Sequence, residues 1–179
     1  AQLIDRAVRA GLDGLVITEH HHQWADAELA ELVDQSGHIG FRLLAGFEYT
    51  SSHGDILIYG LEPDDAKRFT PRWAPEQALE LALGLGAACI AAHPTRAGLS
   101  FDERIATLPL TAMEVRSVNL QQTEQTMALR LSTMLGVSPV TCSDAHRIED
   151  VGRYATAFHD IITTRHELKD ALKHGRFSI

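Results

Sequence analysis

Cysteine is nearly absent from this chain, with only Cys89 and Cys142 among 179 residues. Both lie in apolar, strand-like runs, so no disulfide framework is expected, and a reducing, cytoplasmic setting is. Long apolar runs are missing as well: no stretch of about 18 such residues occurs that would make a membrane span. The chain opens on Ala1-Gln2-Leu3-Ile4-Asp5-Arg6, a helical pattern without a charged-then-apolar leader. Positive charge is also in deficit. The net charge of −8 argues against an extended phosphate-binding surface for nucleic acid. It does not exclude an anionic substrate, because bound divalent cations would reverse the local field. Linkers, charge blocks, low-complexity tracts and short-period repeats are all lacking, so residues 1–179 read as one domain.

What is present is a regular alternation of helix and strand. Leu3, Ile4, Ala7 and Val8 share a helical face over residues 2–10, and Gly11 ends that helix. Gly14 to Thr18 is a short apolar strand running into Glu19-His20-His21-His22. A second helix spans 26–36. Phe41 to Tyr49 and Ile56 to Tyr59 read as strands, with Ser51, Ser52 and Gly54 between them. Pro75 opens a helix carrying Leu79, Ala82 and Leu83. Ala87 to Ala92 and Ala112 to Val115 are strands, the former ending at His93-Pro94. Asn119 is expected to cap a helix with Met127, Leu131, Met134 and Leu135 on its inner face. Val140 to Ser143 delivers Asp144-Ala145-His146, and Tyr154 to Phe158 is expected as the last strand. Thr164 and Glu167 form a capping box for the closing helix. Strands alternating with helices imply an α/β fold of parallel βαβ units.

The ten histidines are the sequence's most unusual feature. His20, Glu48, His93, Asp144 and His146 each fall at, or just past, the carboxyl end of an expected strand. In a βα barrel those ends share one face, which would surround one cavity with residues distant in sequence. Imidazole and carboxylate together suit zinc, manganese or iron without choosing among them. Any one of these residues alone is more simply a loop hydrogen-bonder or a surface carboxylate. It is their recurrence at successive strand ends that points to a metal site.

Four segments occur in order: Thr18-Glu19-His20, Gly46-Phe47-Glu48, Ala92-His93-Pro94-Thr95-Arg96 and Cys142-Ser143-Asp144-Ala145-His146. With Gly11-Leu12-Asp13-Gly14, Gly54 to Gly60 and Val151-Gly152 around them, they resemble the PHP family, named for polymerase and histidinol phosphatase. The resemblance covers nearly the whole chain. It implies a distorted seven-stranded βα barrel, related to the TIM barrel, holding up to three divalent metal ions. It also implies that Glu48 bridges two metals, with His93 on one and Asp144 on the other, while His20 and His146 hold the third. Arg96 lies where it would clamp a phosphate oxygen bidentately, with a surface salt bridge as the alternative. Glu48, Asp144 and Arg96 are therefore the expected catalytic residues.

Three departures from the family pattern stand out. Glu19 replaces the usual Asp before the histidine and would orient His20 or a neighbour. The fourth ligand falls on Asp55 by counting back from Ile56-Leu57-Ile58-Tyr59-Gly60, with His53 as the alternative. The opening His-X-His strand of the family has no counterpart, since residue 1 begins where the following helix would start. This leads to the expectation of roughly 15–25 further residues upstream, carrying that strand and its two histidines. His21 and His22 are expected to be exposed loop residues. His38, His159, His166 and His174 read as structural or exposed, and Cys142 as a packed residue rather than a nucleophile.

The expected activity is hydrolysis of a phosphate ester by metal-activated water, on a small phosphomonoester or a nucleotide end. The short connection from Gly60 to Pro75 leaves no room for a large capping domain, so an open site is expected. The alternatives are a nuclease-type phosphodiesterase acting on nucleic-acid ends and a non-catalytic barrel retained as an interaction module. A hydrolase of some other substrate also fits, because a metal cavity alone does not identify what it binds.

Overall fold

The computed structural model describes residues 1–99 and 101–179. Helix α1 (Gln2–Arg9) leads to strand β1 (Gly14–His20), then α2 (Asp26–Ser36), β2 (Arg42–Thr50) and β3 (Asp55–Tyr59). A short α3 (Pro63–Ala66) and α4 (Pro75–Gly84) precede β4 (Ala88–Ala92) and β5 (Ala112–Arg116). Next come α5 (Gln122–Leu135), β6 (Ser138–Thr141), β7 (Ala157–Phe158), α6 (Arg165–Lys173) and β8 (Phe177–Ser178). The first six strands form one curled half-barrel sheet in chain order, β1-β2-β3-β4-β5-β6. Among the described residues no helix is long and apolar enough to cross a membrane.

The sheet has six strands among the described residues, so the seven expected strands are not confirmed. The expected last strand does not join it: Ala157 and Phe158 pair instead with Ser178 and Phe177 in a separate ribbon. A side chain stands where ladder bonds would have formed. Thr156 Oγ1 accepts from the Thr141 amide at 3.0 Å and donates to the Thr141 carbonyl at 2.8 Å, capping β6 locally.

The sheet is not uniformly parallel either. β3 runs antiparallel to both β2 and β4, while the β1–β2, β4–β5 and β5–β6 pairs are parallel. Only residues 51–54 join β2 to β3, and a parallel connection needs a crossover of about a dozen residues or more. A tight hairpin is the remaining solution. Gly54 takes φ +91 in it, and Phe101 fills the space beside its Cα.

Alternation along the strands sorts the core into two layers. Phe47, Tyr49, Ile56, Ile58, Cys89, Ala91 and Met113 face the helical side, where they meet Ala78, Leu79 and Ala82 of α4. Leu57, Tyr59, Ala88, Ile90, Ala92, Ala112 and Val140 line the concave side, covered by Leu168 and Leu172 of α6. The residues interleaved with the first layer, Glu48 and Asp55 among them, therefore look into the concave side.

The inner face of helix α5 is partly the expected one. Leu131 and Leu135 pack against the core, but Met127 and Met134 are 56% and 73% exposed, and the fully buried positions are Gln125, Ala128 and Ser132. Small side chains let the helix approach β5 closely. Ser132 Oγ donates to the Val137 carbonyl at 2.6 Å, just past the turn at Gly136. The N-cap is Gln121 rather than Asn119. The capping box of α6 forms as expected, with Thr164 Oγ1 accepting from the Glu167 amide at 3.1 Å.

Candidate metal centre

Glu48 occupies the late part of β2, between Phe47 and Tyr49, which anchor in the outer layer. Because β3 is antiparallel, its first residue lies beside the carboxyl end of β2, with Asp55 registered against Thr50 and Leu57 against Glu48. The same logic sets Asp55 against Ala92 on β4, one residue before His93. Antiparallel β3 thus brings an amino-terminal carboxylate to the end where the parallel strands finish. His93 Nε2 lies 3.6 Å from Glu48 Oε1 and 3.6 Å from Asp55 Oδ2. All three side chains are buried, and one donor atom of each lies within 4.8 Å of the others.

His53, the alternative to Asp55, turns outward. Its ring receives Ser52 Oγ at 2.9 Å and reaches Asp102 at 4.0 Å, half exposed.

Among the described residues neither Glu48 nor Asp55 pairs with a lysine or arginine; histidine is their only cationic neighbour. Burial pushes the Asp55 carboxyl above its ordinary range, partly offset by His93. For His93, burial pulls the imidazole down, but the Glu48 hydrogen bond and the Glu114, Asp144 and Glu48 charges outweigh it and hold it up. Two buried carboxylates without a fixed cation are costly unless something positive joins them. A divalent ion meets that need, and two oxygens with one imidazole nitrogen are a donor set that zinc, manganese and iron accept. The chain also holds His93 at φ +27 and Asp144 at φ +48, in the left-handed region that non-glycine residues avoid. Such conformations persist where surrounding structure enforces them, and they concentrate at functional sites.

The remaining residues stand around this cluster. His20 ends β1 with its ring half exposed and Nε2 3.8 Å from Glu48 Oε2, so the two Glu48 oxygens face different imidazoles. Its Nδ1 meets Thr50 Oγ1 at 3.1 Å. Glu19, expected to orient His20, is exposed on the opposite face of the strand, and Thr50 occupies that role. Asp144 is gripped by Asn119, whose Nδ2 donates to its carbonyl at 2.7 Å and to Oδ2 at 2.6 Å. His146 is largely exposed and touches this group through Nδ1, 3.1 Å from the Asp144 carbonyl. Asp144 acts on His93 electrostatically, but no hydrogen bond or ion pair joins the two groups among the described residues. Arg96 is half-buried on the turn after β4, its amide donating to the His93 carbonyl at 3.0 Å. Its guanidinium enters no ion pair among the described residues.

Two residues were not foreseen as part of the site. Asn119 was read as a helix cap and instead fixes Asp144. Glu114 on β5 is 1% exposed, and burial pushes its carboxyl up to about 7 against the pull of Ser117 and His93. A signal for Glu114 was available: it is the one charged residue inside the apolar run Ala112 to Val115. Cys142 lies beside Glu114, and burial raises its thiol well above the ordinary value, which suits a packed residue and not a nucleophile. His21 and His22 are exposed, as expected.

Comparison with known proteins adds a family match and a fold. A family model described as PHP-associated matches residues 122–177, from α5 to β8, and agrees with the resemblance drawn from the four motifs. No curated protein sequence matches the chain. PsfC from Pseudomonas syringae PB-5123 superposes with a TM-score of 0.72 at 19% identity, over 94% of this chain and 78% of its own. A candidate metal-dependent phosphoesterase from Bifidobacterium adolescentis gives 0.65 at 16%, over 95% and 88%. The lesion-specific endonuclease EndoQ from Pyrococcus furiosus gives 0.69 at 16%, over 97% of this chain and 50% of its own. At these identities the likeness establishes a shared fold.

Proposed function

We propose that the chain is a metal-dependent hydrolase of phosphate esters, acting on a small phosphomonoester or a nucleotide end. The observation that carries this reading is the buried meeting of Glu48, Asp55 and His93, with no lysine or arginine paired to them among the described residues. A phosphoesterase candidate and an endonuclease among the structural neighbours favour the phosphate ester as substrate class.

In this reading Glu48, Asp55 and His93 would hold a divalent ion, and Glu48 Oε2 faces His20 at 3.8 Å. Asp144, in contact with His146, acts on His93 electrostatically, and Asn119 keeps the Asp144 carboxylate from rotating away. Such ions, when bound, lower the pKa of a coordinated water and neutralise phosphoryl oxygens. The chain's part is to fix the ligands, keep Glu48, Asp55 and His93 from bulk water and offer Arg96 to a phosphate oxygen. His20 and His146, both exposed, stand where substrate would enter.

A second reading, cleavage of nucleic-acid ends, is favoured by the likeness to the endonuclease. The net charge of −8 weighs against it for this chain acting alone.

The test is a hydrolysis screen with zinc, manganese and iron added separately. The substrates are a chromogenic phosphomonoester, a chromogenic phosphodiester, nucleotides and a short oligonucleotide. The reading expects metal-dependent release of phosphate from monoesters, removed by chelation and by His93→Ala. Full metal loading with no hydrolysis of any substrate would favour the non-catalytic module instead.

A further inference from the structure

Glu114 sits one strand away from His93 with no assigned part in the site. The β4–β5 register pairs Ile90 with Ala112 and Ala91 with Met113, so Glu114 follows alongside Ala92, one residue before His93. Alternation sends Met113 to the helical layer and Glu114 to the concave side with Ala112. Both residues are almost fully buried, at 1% and 3% exposure, and among the described residues Glu114 Oε1, His93 Nδ1 and the neighbouring Ser117 Oγ have no hydrogen-bond partner. The other ring nitrogen, Nε2, faces Glu48 and Asp55. The two residues act on each other electrostatically, with no hydrogen bond or ion pair between them among the described residues, and Ser117 and Cys142 flank the Glu114 carboxyl. An unpaired carboxylate oxygen and an unpaired ring nitrogen are each costly when buried, and they are complementary, one an acceptor and the other a donor when protonated.

We propose that in the metal-loaded protein Glu114 is a positioning residue for His93, turning to accept a hydrogen bond from Nδ1–H so that Nε2 is left bare and aimed at the space between Glu48 and Asp55. The proposal rests on the metal-site reading. A ring flipped by half a turn would put Cε1–H, which has no lone pair, where Nε2 faces the carboxylates. A ring of the other tautomer would present an N–H where a ligand lone pair is needed. A carboxylate behind the ring removes both alternatives and raises the basicity of the ligating nitrogen.

The experiment compares wild type, Glu114→Gln, Glu114→Ala, Ser117→Ala and His93→Ala. Zinc affinity is read by competition with a chromophoric chelator, and the ring N–H of His93 is read by nitrogen-15 and proton NMR of zinc-loaded protein. In wild type the His93 Nδ1–H should appear as a strongly hydrogen-bonded, slowly exchanging proton. Glu114→Ala should lose that signature and weaken zinc binding about 10–100-fold. Glu114→Gln keeps the volume and a neutral acceptor, so it should fall between the two and remain informative if the alanine variant folds poorly. An unchanged His93 signal and unchanged affinity in both Glu114 variants would overturn the proposal. So would a signal that responds to Ser117→Ala and not to Glu114. If His93→Ala binds zinc as tightly as wild type, the metal-site reading itself fails and this proposal fails with it.

Discussion

At the scale of single residues, the site depends on carboxylates that the fold keeps from water. Glu48 has each oxygen turned to a different histidine, 3.6 Å from His93 and 3.8 Å from His20. Glu48→Gln preserves the shape and removes the charge, so it should leave a cooperative fold with less than about a tenth of the hydrolytic rate. That is a barrier increase of at least ~1.4 kcal/mol. A steady-state assay on metal-loaded protein checks this, and a variant above that level would remove Glu48 from the role.

Glu114 gives a second prediction, on stability. Its carboxyl rises from 4.5 to about 7 on folding, so the folded state binds its proton more tightly than the unfolded state does. The stability it contributes is complete below about pH 4.5 and is lost as pH climbs through about 7, by on the order of 3 kcal/mol. His93 is raised as well and acts with the same sign. Thermal unfolding of metal-free protein should therefore show wild type losing ground to Glu114→Gln across that window. Parallel profiles would show that the Glu114 proton is not linked to folding.

At the scale of elements, the β2–β3 hairpin sets the geometry, because it carries Glu48 on one strand and Asp55 on the other. Its turn depends on Gly54: a Cβ there would lie 2.5 Å from the Phe101 ring, on a backbone at φ +91. Gly54→Ala should destabilise the protein by about 1–3 kcal/mol and weaken metal binding together, measured by denaturant titration and chelator competition. Loss of stability with unchanged metal affinity would mean that the hairpin does not set the ligand spacing.

Element boundaries were legible in the sequence because apolar runs, glycine stops and the Thr164–Glu167 capping box are local signals. Strand direction was not. The four-residue link 51–54 was read as a gap between strands and not as the hairpin that reverses β3. The phase of α5 was read only in part. Leu131 and Leu135 pack on the core as expected, but the methionines do not, and the fully buried positions include the small Ala128 and Ser132. Ser143 and Thr156 side chains, which hold the segment before β7, leave no periodic trace at all.

At the scale of the whole molecule, the half-barrel collects residues from five strands or strand ends at one rim, on a chain with net charge −8. The strand-end positions of His20, Glu48, His93, Asp144 and His146 were legible from repeated apolar runs ending in a potential ligand. Asp55 needed the family pattern, since it begins a strand. Glu114 and Asn119 were missed because their roles come from neighbours distant in sequence: β5 beside β4, and the turn after β5 beside the segment after β6. An acidic molecule with an acidic rim concentrates cations and repels anions until cations bind, so substrate binding should follow metal loading.

The most direct measurement is anomalous diffraction from crystals of the chain soaked in manganese or zinc. The account predicts a peak within about 2.0–2.2 Å of Glu48, Asp55 and His93 together, with His93 coordinating through Nε2. Strong peaks elsewhere with none between these three side chains would contradict it.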